Sequence, residues 1–141
     1  MIPDADEPSH FLNCLDDFRL GHEVLDREHE GLCLLINQLA EAVDDQDDWE
    51  KAVALATELV HETSRHFDHE EALMKQAAYP EVDRHHEQHT ELLSQIESLR
   101  DRLATDHRLA RPHQTLNFLG DWFTLHIDNS DRRFVAFLSE S

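Results

Sequence analysis

Between His66 and His89 the sequence HFDHEEALMKQAAYPEVDRHHEQH places five histidines and six Asp or Glu residues within 24 positions. Imidazoles and carboxylates can exchange protons or ligate a transition metal together, and burying them without a partner is costly. Their spacing says which of them point inward. At about 100° per residue, positions four apart lie within about 40° of one another and positions seven apart within about 20°. His66 therefore lines up with Leu59 and Leu73, with Glu70 beside it, and His85 and His89 run directly into Leu92 and Ile96. His29 stands in a stripe with Leu25, Leu32 and Ile36, and His126 lies seven beyond Leu119 and three beyond Phe123. A single inward histidine is usually a hydrogen-bonded core residue. Five of them with an inward Glu exceed what an apolar interior can satisfy. A metal satisfies them, through neutral imidazole nitrogens and bridging carboxylates.

The elements that must position these residues are helical. The chain has three glycines and four prolines, shows no β-branched alternation, and repeats its apolar residues at helical spacing. A first helix is expected from about Leu20 to Val43, striped by Leu25, Leu32, Ile36, Leu39 and Val43, ending in the acidic run DDQDD. A second runs from about Asp48 to Ala77 with Leu55, Leu59 and Leu73, and the turn AYP closes it because Tyr79 precedes a proline. A third, from about Glu81 to Ala104, carries Leu92, Ile96, Leu99 and Leu103. The fourth starts near Pro112, a residue tolerated in a first helical turn, and carries Leu116, Leu119, Phe123, Phe134 and Phe137. Short connections favour antiparallel neighbours, so the expected fold is all-α, an up-down-up-down antiparallel four-helix bundle over residues 19–141. Residues 1–18, rich in Pro and Asp, are expected to form an N-terminal arm laid over it.

Composition narrows the partners. A chain of 141 residues is long enough for one domain with a continuous core. A formal charge of −19, from 31 acidic against 12 basic residues, repels phosphate backbones and anionic membranes, so neither nucleic acid nor membrane is an expected partner. No stretch approaches the roughly 20 apolar residues that span a bilayer, and the N-terminus lacks a basic, signal-like start. A cytoplasmic location is expected, with Cys14 and Cys33 reduced. Cys33, four beyond His29, reads as a buried inert thiol, with a redox role as the alternative.

Four ordered pieces carry a resemblance to the hemerythrin family, in particular its single-domain bacteriohemerythrins: LDREH with His29, HFDHEEALM with His66 and Glu70, YPEVDRHHEQH with His85 and His89, and WFTLHIDNSD with His126 and Asp131. Together they cover about Gly21 to Phe137. The resemblance implies a four-helix bundle around a non-haem di-iron centre. His85, His89 and His126 would bind one iron and His29 and His66 the other, with Glu70 and Asp131 bridging alongside an oxo or hydroxo ligand. It also implies that dioxygen binds end-on at the open position of the iron with two histidines and is reduced to peroxide as both irons oxidise. Asp131 is five beyond His126, about 140° round a regular helix, so its reach to the same centre requires a distortion such as a π-type turn. The resemblance further implies an oxygen pocket lined by Trp122, Phe123 and Ile127, with Phe123 where the family usually has leucine. Phe18 stands where the arm usually offers a tryptophan.

The donor set fits that chemistry on its own terms. Five imidazoles and two carboxylates suit iron better than Mg or Ca, which take oxygen ligands, or Cu(I), which takes thiolates. A histidine-rich, carboxylate-poor set favours reversible binding over oxygenase chemistry. Di-iron oxidases of the ferritin type use two Glu-x-x-His motifs, and here Glu58 and His61 alone have that spacing, with His61 on the solvent face. The expected function is thus reversible dioxygen binding for storage, delivery or supply, without enzymatic turnover. The alternatives are oxygen or redox sensing through an unidentified protein partner, and peroxide or nitric-oxide chemistry at the same irons. His61, His86, His107 and His113 read as solvated. His69 reads as either a supporting group or exposed, His22 as able to approach the core, and Asp26 as either a supporting acceptor or a helix-start carboxylate.

Overall fold

The computed structural model describes residues 19–44, 49–105 and 112–140. The expected N-terminal arm, Cys14, Phe18 and His107 lie outside these residues, as does the side chain of His113. Helix α1 spans Glu23–Asp44, α2 Trp49–Gln76, α3 Val82–Thr105 and α4 Pro112–His126. A π-helical segment, Ile127–Asp131, joins α4 to α5, Arg132–Glu140, so that the fourth helix of the bundle is one rod with a widened turn. Helices α1 and α2, α2 and α3, α3 and α4, and α4 and α1 pack against each other, which closes the four-helix bundle. No helix among the described residues is long and apolar enough to cross a membrane.

Local chemistry sets the helix ends. The start of α1 is held by Asp26, whose carboxylate accepts the backbone N–H groups of Leu20 at 2.7 Å and Gly21 at 3.1 Å, while His22 Nδ1 accepts from Leu25 N–H. Gly21 sits at φ 90°, where a side chain would be strained. Asp26 is therefore a helix-start carboxylate, and His22 serves the same turn. At the end of α2, Tyr79 N–H reaches back to Met74 O and Ala78 N–H to Lys75 O, the paired bonds of a Schellman termination. Its left-handed position, usually glycine, is Ala78 at φ 56°.

The core comes in two parts. One apolar cluster includes Leu32, Ile36, Leu39, Leu59, Phe67, Leu92, Ile96, Leu99, Leu119, Phe123 and Ile127; the other is built on Leu25, Met74, Tyr79 and Phe134. Between them, on every helix, sit the inward histidines and carboxylates: His29 between Leu25 and Leu32, His66 and Glu70 before Met74, His85 and His89 between Tyr79 and Leu92, His126 and Asp131 before Phe134. The bundle thus carries one buried polar layer. Leu55, Leu73 and Phe137, expected in the stripes, are half-buried, and Ala52, Ala56 and Met74 take the interior positions of α2. Cys33 is fully buried but disulfide-bonded, which corrects the expectation of a reduced thiol.

Candidate metal centre

The polar layer resolves into two ligand groups that share their carboxylates. Glu70, His85, His89, His126 and Asp131 form one; His29, His66, Glu70 and Asp131 form the other, with the offered atoms of each group within 4.8 Å of one another. All seven residues singled out from the sequence are buried. The orientation of the two carboxylates is informative. Glu70 Oε1 lies 3.1 Å from both His85 Nε2 and His89 Nε2, while its Oε2 faces His66 Nε2 at 3.7 Å and His29 Nε2 at 3.9 Å. Asp131 Oδ1 meets His85 Nε2 at 2.7 Å and His126 Nε2 at 3.2 Å, and its Oδ2 meets His29 Nε2 at 3.1 Å. Each carboxylate presents one oxygen to the histidine trio and the other to the pair.

Asp131 reaches this position because of the widened turn. Five residues after His126 would be well round a regular helix, and the π segment returns the side chain to the same interior face. The expected distortion is present.

Two further carboxylates fix the histidine rings. His66 Nδ1–H donates to Glu28 Oε1 at 2.7 Å, and His89 Nδ1–H donates to Glu71 Oε2 at 2.8 Å. A proton held at Nδ1 leaves the Nε2 lone pair pointing into the site, the tautomer that a metal requires. Each of these carboxylates also accepts from a second imidazole nearer solvent, Glu28 from His69 Nδ1 at 2.8 Å and Glu71 from His86 Nδ1 at 2.7 Å. His69 is thereby a supporting group. His86 and His61 are exposed, as expected, and Glu58 is exposed with His61. Glu28 and Glu71 were not legible as supports in the sequence. Their signal was faint: each stands next to an inward ligand, about 100° round the helix from it, at a seam with a neighbouring helix.

The electrostatics show how much the layer depends on compensation. Burial alone would raise the carboxyl of Asp131 and lower the imidazole of His85. The imidazoles of His126, His29 and His85, close against its oxygens, instead hold Asp131 well below its ordinary range. Asp131 and Glu70 lift His85 to about 9. Glu70 is lowered too, against both burial and the repulsion of Asp131. His126, by contrast, is lowered, by burial first and then by its neighbours His89 and His85, despite Asp131. Compensation is incomplete. Among the described residues, both nitrogens of His29 and both oxygens of Glu70 are buried without a hydrogen bond, although imidazoles and the Asp131 carboxylate lie close to them. Buried orphans of this kind, on α1 and α2 and facing His85, His89 and Asp131 from α3 and the fourth helix, fit a pair of metal ions that take the lone pairs.

Aromatic rings close the site. Phe123 stands edge-on to His29, ring centroids 6.2 Å apart, and Ile127 is fully buried nearby in the chain. Phe67, which sequence reasoning passed over, stacks flat on His89 with centroids 3.7 Å apart. Trp122 is half-buried and stacks on His126 at 4.6 Å, so it lines a groove on the outer side of that imidazole.

A four-helix bundle with a buried layer of five imidazoles and two shared carboxylates defines the class: a helical protein built around a dinuclear non-haem metal centre. The family model described as the hemerythrin HHE cation binding domain matches residues 20–138. The chain is 31% identical over 121 residues to the bacteriohemerythrin of Ralstonia nicotianae, covering 86% of this chain and 84% of that protein. It is 31% identical over 119 residues to the myohemerythrin of Riftia pachyptila, with 84% and 87% covered. Against the bacteriohemerythrin of Stenotrophomonas maltophilia it is 27% identical, with 85% and 76% covered. The chain belongs to the hemerythrin family, whose domain holds a di-iron centre and binds dioxygen.

Proposed function

We propose that this protein binds dioxygen reversibly at a di-iron centre, with His85, His89 and His126 holding one iron, His29 and His66 the other, and Glu70 and Asp131 bridging. The observation that carries the reading is the opposed orientation of the carboxylate oxygens of Glu70 and Asp131 toward the trio and the pair. When bound, the irons supply the two electrons and the Lewis acidity that dioxygen binding needs. The chain's own residues do the rest. Glu28 and Glu71 hold two imidazoles in the ligating tautomer, and the pair, with fewer nitrogens than the trio, leaves more room for an external ligand. Phe123, edge-on to His29, excludes water from that room. Five imidazoles against two carboxylates place little negative charge on the metals, which favours binding and release over oxidation of a substrate. Storage or delivery is accordingly preferred to sensing or turnover.

Anaerobic reconstitution with ferrous iron, followed by oxygen titration in the visible spectrum, tests this reading. Two irons and one dioxygen per chain, reversed by deoxygenation, are expected. Catalytic consumption of peroxide or nitric oxide without a stable oxygenated form would overturn it.

A further inference from the structure

The outer side of His126 opens to a groove of about 450 Å³ between α3 and the fourth helix, lined by Arg84, Gln88, Trp122, Leu125, Ser130 and Arg133, among others. Its lining carries two arginines and no carboxylate among the described residues. The chain carries −19, yet here two guanidiniums, from Arg84 and Arg133, share the single carboxylate of Glu81, at 3.8 and 3.5 Å. Both arginine side chains are well exposed, at 68% and 62%, and the carboxylate they share does not line the groove itself. The groove between α1 and α2 shows the contrast. It also holds two arginines, Arg27 and Arg65, but against Glu28, Glu58, Glu62 and Asp68.

Beside the arginines lies an apolar, aromatic wall. Phe118, Trp122 and Leu125 fall four and three residues apart, on one face of α4, and Phe118 and Leu125 are 50% and 60% exposed. Trp122 is the member that connects inward. One side of its indole lies nearly parallel to the His126 imidazole, 20° off and 4.6 Å between centroids. A planar aromatic group entering the groove meets the indole and Leu125, and an anionic substituent on it meets the arginines. Aromatic surfaces attract one another in offset stacks, and guanidinium groups match phosphate oxygens in pairs. The volume is in the range of small-molecule sites.

We infer that this groove is a docking site for a planar aromatic electron carrier bearing a phosphate, of the flavin mononucleotide type, which reduces the metal centre through Trp122 and His126. The purpose rests on the reading of His126 as an iron ligand; the binding does not. The stoichiometry closes: a reduced flavin anion gives up two electrons and one proton to become oxidised flavin, the two electrons return two ferric ions to the ferrous state needed for oxygen binding, and the proton leaves to solvent at the groove mouth.

The test uses oxidised flavin mononucleotide as the probe, with quenching of its fluorescence as the readout, on the metal-free and the iron-loaded protein. Saturable one-to-one binding in the micromolar range is expected in both. Riboflavin, which lacks the phosphate, should bind at least about tenfold more weakly, as should flavin mononucleotide to Arg84→Ala/Arg133→Ala. The control Arg27→Ala/Arg65→Ala should match the wild type. On ferric protein, anaerobic reduction by reduced flavin mononucleotide should saturate with flavin and slow at least about tenfold in Arg84→Ala/Arg133→Ala, whose iron content and circular dichroism stay unchanged. Absent saturable binding, equal affinity for riboflavin, equal loss in the control, or reduction indifferent to the two arginines would each overturn the inference. So would self-association through Phe118 and Leu125 that excludes flavin. Failure of iron to load at all, seen by metal analysis, is a separate outcome that strikes the proposed function: flavin binding to metal-free protein then still supports or refutes the docking site.

Discussion

Glu71 offers a sharp test of how the centre is held. Its carboxylate accepts one hydrogen bond from His89, whose side chain is 2% exposed, and another from His86, whose side chain is 65% exposed. In Glu71→Ala the buried Nδ1–H of His89 loses its acceptor, and leaving a buried donor unsatisfied costs about 1–3 kcal/mol. The ring can also turn or change tautomer, taking Nε2 out of line. Removing a carboxylate that supports a metal-bound histidine typically weakens metal binding about 10–100-fold, or about 1.4–2.7 kcal/mol. The two routes agree in size. Glu71→Ala is therefore expected to lower ferrous affinity by that factor, measured anaerobically in competition with a chromophoric chelator. Glu71→Gln, which keeps one acceptor oxygen, should fall between. His86→Ala should stay within about twofold of the wild type, because an exposed imidazole contributes little to the orientation of a buried one. Wild-type affinity in Glu71→Ala, or a His86→Ala defect as large, would refute the assignment of Glu71 as the support of His89.

Glu70→Ala should lose both irons by metal analysis, since one carboxylate faces both ligand groups, whereas His61→Ala, on the solvent face, should keep both. In the metal-free protein His85 is raised from 6.5 to about 9, so its stabilisation is fully present below pH 6.5 and is lost as the pH rises through 9, on the order of 3 kcal/mol. Metal binding needs the neutral imidazole and strengthens over the same window, so the gap in melting temperature between loaded and metal-free protein should widen from pH 6.5 to 9; a constant gap would count against it. Phe123→Leu should bind oxygen faster and autoxidise sooner at equal iron loading, by stopped flow; if the ring is only structural, rates stay the same and the substitution costs up to about 1.5 kcal/mol of packing.

Angular spacing exposed much of this centre, and its failures have physical causes. His29, His66, Glu70, His85, His89 and His126 lie in helices whose apolar neighbours sit three, four or seven residues away, so each was legible as inward. Leu73 lies at the edge of the interior, half-buried against the second cluster, because two seven-residue steps from Leu59 through His66 drift by about 40° on a straight helix, and Met74 takes the fully buried position beside it. Asp131 could not be reached by angle at all; family spacing supplied it, and the π turn explains it. Glu28 and Glu71 act across helix seams, to partners 38 and 18 residues away, and no periodicity within one helix encodes such a pairing. The disulfide state of Cys33 is likewise beyond a reading that counts only two thiols.

The same widened turn that brings Asp131 into the polar layer also ties the two apolar clusters together. Ile127, at its start, belongs to the cluster of Leu32, Ile36 and Phe123, and Phe134, three residues after the turn ends, is fully buried in the other with Leu25, Met74 and Tyr79. A regular helix through 127–131 would rotate α5 relative to α4 and could not serve His126, Asp131 and Phe134 at once. The irregular hydrogen bonding is therefore held in place from both sides by apolar burial, and Tyr79, packed 5.1 Å from Phe134 and 5.0 Å from Phe137, extends that hold to the α2–α3 turn. It follows that the ligand geometry does not depend on the metals alone. The apolar clusters preorganise the layer, the layer's unsatisfied nitrogens and oxygens make it receptive, and metal binding supplies the partners that the fold itself withholds.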